Sequence, residues 1–298
     1  MTTAVPQITL NNGVAMPQLG LGTYLSAPND TANAVVTAIN AGYRLIDTAA
    51  AYGNEAAVGE GVARCGIDRS GLFVATKLWI ADHGRDATLR AFDASMDKLG
   101  LDYLDLYMIH WPTPSSFDAT IASWKAMQEL RDQGRIRAIG TCNFNAGHLT
   151  RLIEATGTTP AVNQVELHPL FNQSALRKVH AELGIATQAW SPIGGVYTNH
   201  PSDPRAPVRL LDLPMIRTIA ARLGKSPAQV VLRWHIQNGT IIIPKSVHAD
   251  RIAENMAIFD FALDAADMAA IDALDQGLAG GIDPEVFDLD FLARLQNA

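Results

Sequence analysis

The sequence predicts an α/β chain folded as a (β/α)8 barrel with an N-terminal β-hairpin closing its floor. Three observations carry that prediction. Short apolar runs rich in β-branched residues alternate with stretches of helical period as far as about residue 245. Eight such runs occur, each followed by a helical pattern. No composition break or low-complexity linker interrupts them, so residues 1–298 are expected to form a single domain. An open doubly wound sheet is the competing arrangement, and eight unbroken βα units favour closure over it.

Taken in order, the segments 7–10 and 14–17, joined by Asn11-Asn12-Gly13, read as the hairpin. The strand runs are 18–23, 43–47, 72–77, 105–110, 136–142, 161–166, 185–190 and 240–243. Helical patterns over 30–40, 86–99, 118–133 and 213–223 lie between them. The helix expected over 227–238 is the best punctuated. Ser226 is its N-cap, Pro227 sits in its first turn and Gly239 ends it before the last strand.

Composition narrows the function. The chain is 48% hydrophobic and 18% charged, with 23 Gly and 15 Pro, as expected of a globular protein with a large core and frequent turns. A formal charge of -7 argues against nucleic acid or an anionic membrane as the main partner, because both need a broad basic face. Residues 1–7 carry no basic segment followed by an apolar run, and no apolar stretch is long enough to span a bilayer, so a cytoplasmic protein is expected. Cys65 and Cys142 each fall inside a structural segment and support neither a disulfide framework nor a thiolate metal site. An anionic ligand must therefore be held by a local basic cluster.

In a barrel of this type the chemistry sits where strands end and βα loops begin. Here the strand ends are polar: the second finishes at Asp47, the third at Lys77 and the fourth at His110, and Tyr52 follows in the loop Ala49-Ala50-Ala51-Tyr52-Gly53. Taken singly, Asp47 reads as a helix cap, Lys77 as a snorkelling lysine, His110 as a core histidine and Tyr52 as a packed loop ring. Taken together they converge on one rim, where an unpartnered buried Lys or Asp is costly.

Such a group suits proton donation. A tyrosine hydroxyl ordinarily titrates at about 10, and a nearby cation that lowers this favours donation to an alkoxide. Lys77 is the candidate cation, Asp47 would keep it charged, and neutral His110 would hydrogen-bond a carbonyl oxygen. The set contains no nucleophile and no metal cluster, so reduction needs an external hydride donor. Lys245, Ser246 and Arg251, beside a helix opening near Asp250, make a phosphate clamp after the last strand. A Rossmann site is not indicated, since Gly20-Leu21-Gly22 has Leu25 where a third glycine belongs.

These residues, with their neighbours, resemble the aldo-keto reductases over nearly the whole chain. The matching stretches are Gly20-Leu21-Gly22-Thr23, Asp47-Thr48-Ala49 with Tyr52-Gly53-Asn54-Glu55, Thr76-Lys77, and Tyr107-Met108-Ile109-His110-Trp111-Pro112. Further on come Gly140-Thr141-Cys142-Asn143-Phe144, Asn163-Gln164-Val165-Glu166, Ser191-Pro192-Ile193-Gly194 and Ile243-Pro244-Lys245-Ser246. Trp190 with Thr76-Lys77-Leu78-Trp79 looks most like the bacterial branch containing 2,5-diketogluconate reductases.

The resemblance implies NADPH extended across the barrel mouth and hydride transfer to an aldehyde or ketone. It implies a catalytic tetrad of Asp47, Tyr52, Lys77 and His110. Cofactor contacts would come from Gly22, Thr23, Cys142, Asn143 and Gln164, from Trp190 under the nicotinamide, and from Ser191, Pro192, Ile193 and Gly194 along the pyrophosphate. Lys245, Ser246, Val247 and Arg251 would hold the 2'-phosphate end, with Glu254 and Asn255 facing the adenine. Tyr24, Trp79 and Trp111 would flank a small carbonyl substrate, with the tail after Gln276 folding over them and the loop 196–211 shaping selectivity.

Two positions depart from many members: Trp190 replaces Tyr, and Cys142 replaces Ser, a better hydrogen-bonding partner. His110 favours carbonyl reduction, since relatives that reduce steroid double bonds carry Glu there. A monomer or weak dimer is expected. The rival functions are a cofactor-binding protein without turnover, which an intact tetrad argues against, and a metal-dependent hydrolase, which lacks its His-x-His after the first strand.

Overall fold

The computed structural model describes residues 5–194, 209–277 and 279–296. Most of the expected selectivity loop, residues 196–208, lies outside these. Strands β1 (Gln7–Thr9) and β2 (Ala15–Pro17) form the antiparallel hairpin, with Ile8 opposite Met16. Asn11 Nδ2 donates to the Pro160 carbonyl and Asn12 Nδ2 to that of Arg137, so the turn is tied to the barrel's underside. Leu10 and Met16 then close the floor from below, within the apolar cluster that fills the barrel.

The barrel strands are β3 (Gly20–Gly22), β4 (Leu45–Asp47), β5 (Phe73–Leu78), β6 (Leu104–Ile109), β7 (Ile136–Cys142), β8 (Val162–Glu166), β9 (Ala186–Trp190) and β10 (Ile241–Ile242), parallel and in chain order. Between and after them run α1 (Pro28–Asn40), α2 (Glu55–Arg64), α3 (Arg85–Leu99), α4 (Phe117–Asp132), α5 (Ala146–Thr156), α6 (Ser174–Leu183), α7 (Pro214–Leu223), α8 (Pro227–Gln237), α9 (Ala249–Met256), α10 (Ala265–Asp272) and α11 (Leu289–Gln296). None of the described helices is long and apolar enough to cross a membrane.

The first and last strands are shorter than their apolar runs. They meet only at single bridges, Leu19 with Ile242 and Gly22 with Lys245, where the amide of Ile242 donates to the carbonyl of Gln18 at 2.9 Å. Gly22 is required there, because a Cβ would lie 2.6 Å from the carbonyl oxygen of Ile243. The helix over 227–237 is capped as expected: Ser226 accepts from the Gln229 amide and Gln229 returns the bond.

Two apolar layers follow from strand alternation. Leu45, Phe73, Ala75, Leu106, Met108, Ala138, Cys142, Val162 and Ile241 point inward and fill the barrel. Ile46, Val74, Leu78, Tyr107, Ile109, Ile139 and Val165 point outward and pack under the helices. The period of two therefore sends Asp47, Lys77 and His110 inward, each one step above an apolar residue of the inner layer.

Candidate active site

Asp47 ends β4, Lys77 lies near the end of β5 and His110 follows β6, so three adjacent strands deliver them to one rim. Lys77 is fully buried, and its Nζ donates to Asp47 Oδ1 at 2.5 Å and to the Thr48 carbonyl at 2.7 Å. The other oxygen of Asp47 accepts from Gln164 Nε2 at 2.8 Å. Half-buried Tyr52 closes the group from its 3-10 turn (Ala50–Tyr52). Its ring centroid lies 5.1 Å from Lys77 Nζ and 5.6 Å from the His110 ring. The sequence-predicted tetrad is thus one cluster.

The turn is placed by Asn54. Its Oδ1 accepts from Thr48 Oγ1 at 2.8 Å, while its Nδ2 donates to the carbonyls of Thr23 at 2.9 Å and Ser26 at 3.2 Å. One side chain therefore joins the loop bearing Tyr52 to the loop bearing Tyr24, whose rings lie 5.0 Å apart.

Burial dominates the electrostatics. It disfavours the Lys77 ammonium, yet the charge and hydrogen bond of Asp47, together with Tyr52 and Cys142, outweigh it and hold Lys77 above the ordinary lysine range. Burial raises the Asp47 carboxyl, with Lys77 and Gln164 pulling against it. Burial, reinforced by Lys77, keeps His110 well below the ordinary histidine value and therefore neutral. Its Nδ1 is buried without a partner among the described residues, which leaves Nε2 as the nitrogen able to meet a ligand.

Tyr52 corrects the sequence-based expectation. Burial pushes its hydroxyl above the ordinary tyrosine range, and the lowering by Lys77 does not overcome it. Asp47 acts in the same direction as burial, opposing the Lys77 charge at the phenol.

Around this cluster, Asn143 and Ser191 hold left-handed backbone (φ 62° and 47°) directly after β7 and β9. The Asn143 side chain is engaged within the protein: Nδ2 donates to the His110 carbonyl at 3.0 Å and Oδ1 accepts from Trp190 Nε1 at 2.9 Å. Gln164 spends Nε2 on Asp47 and on Gln188 Oε1, leaving its own Oε1 as the free acceptor among the described contacts. Cys142, expected among the cofactor contacts, ends β7. Its thiol is fully buried in the inner layer with its sulphur 3.7 Å from that of Met108, and burial holds it protonated.

Pro192 is fixed by the His235 ring against its carbonyl at 2.8 Å, and Ile193 packs on the outer layer. Lys245 and Arg251 are exposed beside the opening of α9, and neither has an ion-pair partner among the described residues. Ser246 accepts from the His248 amide at 3.1 Å, half-buried Val247 packs on the outer layer, and Asn255 is buried on the inner face of α9 next to half-buried Glu254.

The aromatic rings expected to flank substrate lie on the same rim. Trp79 stands 5.3 Å from His110, and Trp111 stands 4.1 Å from Phe287 of the C-terminal tail, which also meets Trp79 at 5.9 Å. The tail does cross these rings. Sequence reasoning missed Phe287, the Thr48 carbonyl, Gln188 and the bridging role of Asn54. A signal existed for Phe287, an aromatic residue within the acidic stretch Asp283-Pro284-Glu285-Val286-Phe287-Asp288. None existed for a backbone carbonyl.

The chain matches the model of the aldo/keto reductase family over residues 18–276. It is 52% identical over 291 residues to a morphine 6-dehydrogenase of Pseudomonas putida, covering 97% of this chain and 98% of that protein. It is 44% identical over 280 residues to the methylglyoxal reductase DkgA of Escherichia coli, covering 94% and 97%. Among solved structures it is similar to a Bombyx mori aldo-keto reductase in complex with NADP, at 37% identity and a TM-score of 0.87, covering 98% and 97%.

Proposed function

The chain belongs to the aldo/keto reductase family, and from that premise we propose that it reduces aldehydes or ketones to alcohols with NADPH, Tyr52 giving the proton. One observation carries the reading: the buried Asp47–Lys77 pair beside Tyr52, with neutral His110 next to the ring. That arrangement has no use as packing, since a buried ion pair is weak evidence for stability and a hydrophobic pair would serve as well.

The residues present fit the cofactor. Lys245 and Arg251, without an ion-pair partner among the described residues and at a helix opening, suit a terminal phosphate. Gln164 Oε1 can accept from a carboxamide, and Trp190 offers a broad face at the rim, its orientation set by Asn143. NADPH, when bound, supplies the hydride.

The chain's own groups do the rest. His110 donates from Nε2 to the carbonyl oxygen and orients it. As that oxygen gains charge, Tyr52 gives it the phenolic proton. A nascent alkoxide is a far stronger base than a phenolate, so transfer remains downhill even from a raised tyrosine. Lys77 stabilises the phenolate that is left, and Asp47 keeps Lys77 charged and aimed. The inward rings of Trp79 and Trp111, with Phe287 over them, exclude water from the carbonyl.

The test is NADPH consumption against a carbonyl panel that includes methylglyoxal, a diketogluconate, an aryl ketone and the oxidised form of morphine. Turnover of at least one member, unaffected by a chelator, is the expected result. Tight NADPH binding without turnover of any member would leave a binding protein in place of an enzyme.

A further inference from the structure

Glu166 is a buried carboxylate at the end of β8, opposite Trp190 in the β8–β9 register, and the reaction described above does not use it. A carboxylate in that position must be satisfied. Its partners come mainly from the far end of the chain. Oε1 accepts from the Gly280 amide at 2.8 Å and from His168 Nε2 at 3.1 Å, and Oε2 accepts from the Gly281 amide at 2.8 Å.

The glycine is matched to its seat. A Cβ on residue 281 would lie 2.6 Å from Trp190 Cη2 and 3.0 Å from Glu166 Oε2, so only glycine rests this close to the tryptophan edge. Beyond this point the strap continues over the rim. Glu285 meets Asn145 and His148, Phe287 packs on Trp111 and Trp79, and Asp288 accepts from Ser115 Oγ at 2.8 Å. Those three later contacts are made by exposed groups or by apolar packing, whereas the bonds to Gly280 and Gly281 are charge-assisted and come from a buried carboxylate.

We propose that Glu166 is a positioning residue: its carboxylate clasps the amides of Gly280 and Gly281, seats the strap 279–288 against Trp190, and so sets how bulky a carbonyl compound the pocket admits. The selectivity half of this rests on the reductase reading; the clasp itself does not. Glu166→Gln keeps the side chain's size but turns one acceptor into a donor facing an N–H. Gly281→Ala attacks the same seat from the strap, leaving Glu166 and Trp190 themselves unchanged. Glu166→Asp keeps both acceptor oxygens on a shorter reach.

The experiment compares hydrogen exchange of the peptide spanning 279–288 in the full chain with kcat and KM for a small aldehyde and a bulky aryl ketone. In Glu166→Gln and Gly281→Ala, exchange of this peptide rises about tenfold or more, with Glu166→Asp intermediate. The ratio of kcat/KM for the aryl ketone over the small aldehyde rises about fivefold, carried by KM, while kcat for the small aldehyde stays within about twofold. Unchanged exchange in both variants overturns the clasp. Equal losses for small and bulky substrates, carried by kcat, overturn the selectivity role. Should Glu166→Gln fail to fold, Gly281→Ala decides alone. Faster exchange in a chain that reduces nothing removes the reductase reading and leaves the clasp, whereas normal turnover with unchanged exchange removes the clasp alone.

Discussion

In the proposed reaction Tyr52, Lys77 and Asp47 divide the work of one proton, and their contacts suggest how. Asp47 and Lys77 can be read from the sequence, because each ends an otherwise apolar run, and Tyr52 follows in the loop after Asp47. The direction in which Tyr52 titrates cannot, because it depends on how burial compares with a cation already paired to Asp47. The pair itself makes a sharp prediction. Lys77→Met leaves Asp47 buried with only Gln164 as a donor, and should cost about 3–5 kcal/mol in urea unfolding. Replacing both, Lys77→Met with Asp47→Asn, should recover part of that loss, since no buried charge remains. A single variant as stable as the wild type would mean that the pair is not charged in the folded protein.

At the scale of elements, the period of two is what makes the site legible. Inward rows such as Phe73, Ala75, Lys77 and Leu106, Met108, His110 place chemistry directly above the inner layer, and this can be counted along the sequence. The closing strands were harder to bound: β3 and β10 pair through single bridges, which leave almost no periodic signal. The crossing of the tail was legible as an expectation, but its seat on Glu166 was not, because a bond between positions more than a hundred residues apart has no local signature. The closure also predicts a cost. Gly22→Ala forces a Cβ onto the Ile243 carbonyl, which must move with Lys245 next to it. The variant should lose about 1–3 kcal/mol of stability and bind NADPH more weakly. Wild-type stability with wild-type NADPH affinity would show that the barrel seam yields freely.

For the whole molecule, pH should act through buried histidines. Burial holds His180 down to about 4 and His235 down to about 3, both below the 6.5 of an unfolded chain. As pH falls the unfolded chain therefore binds protons first, so stability present at neutral pH is lost between about 6.5 and 4, by roughly 3 kcal/mol for each buried ring. The urea midpoint should drop steadily across that window, and a flat midpoint would contradict the burial of both rings. Exposed Lys245 and Arg251 should favour NADPH over NADH, and removing both charges should erase most of a preference of about tenfold or more, read as the ratio of dissociation constants. Proton donation by Tyr52 is the key step of the proposed NADPH-dependent carbonyl reduction. It is tested most directly by Tyr52→Phe, which keeps the ring against Tyr24 and His110 and removes only the hydroxyl. NADPH should bind to this variant as to the wild type, while its rate of NADPH oxidation with the best aldehyde should fall by about a hundredfold or more. Unchanged oxidation in the variant would place the acid elsewhere.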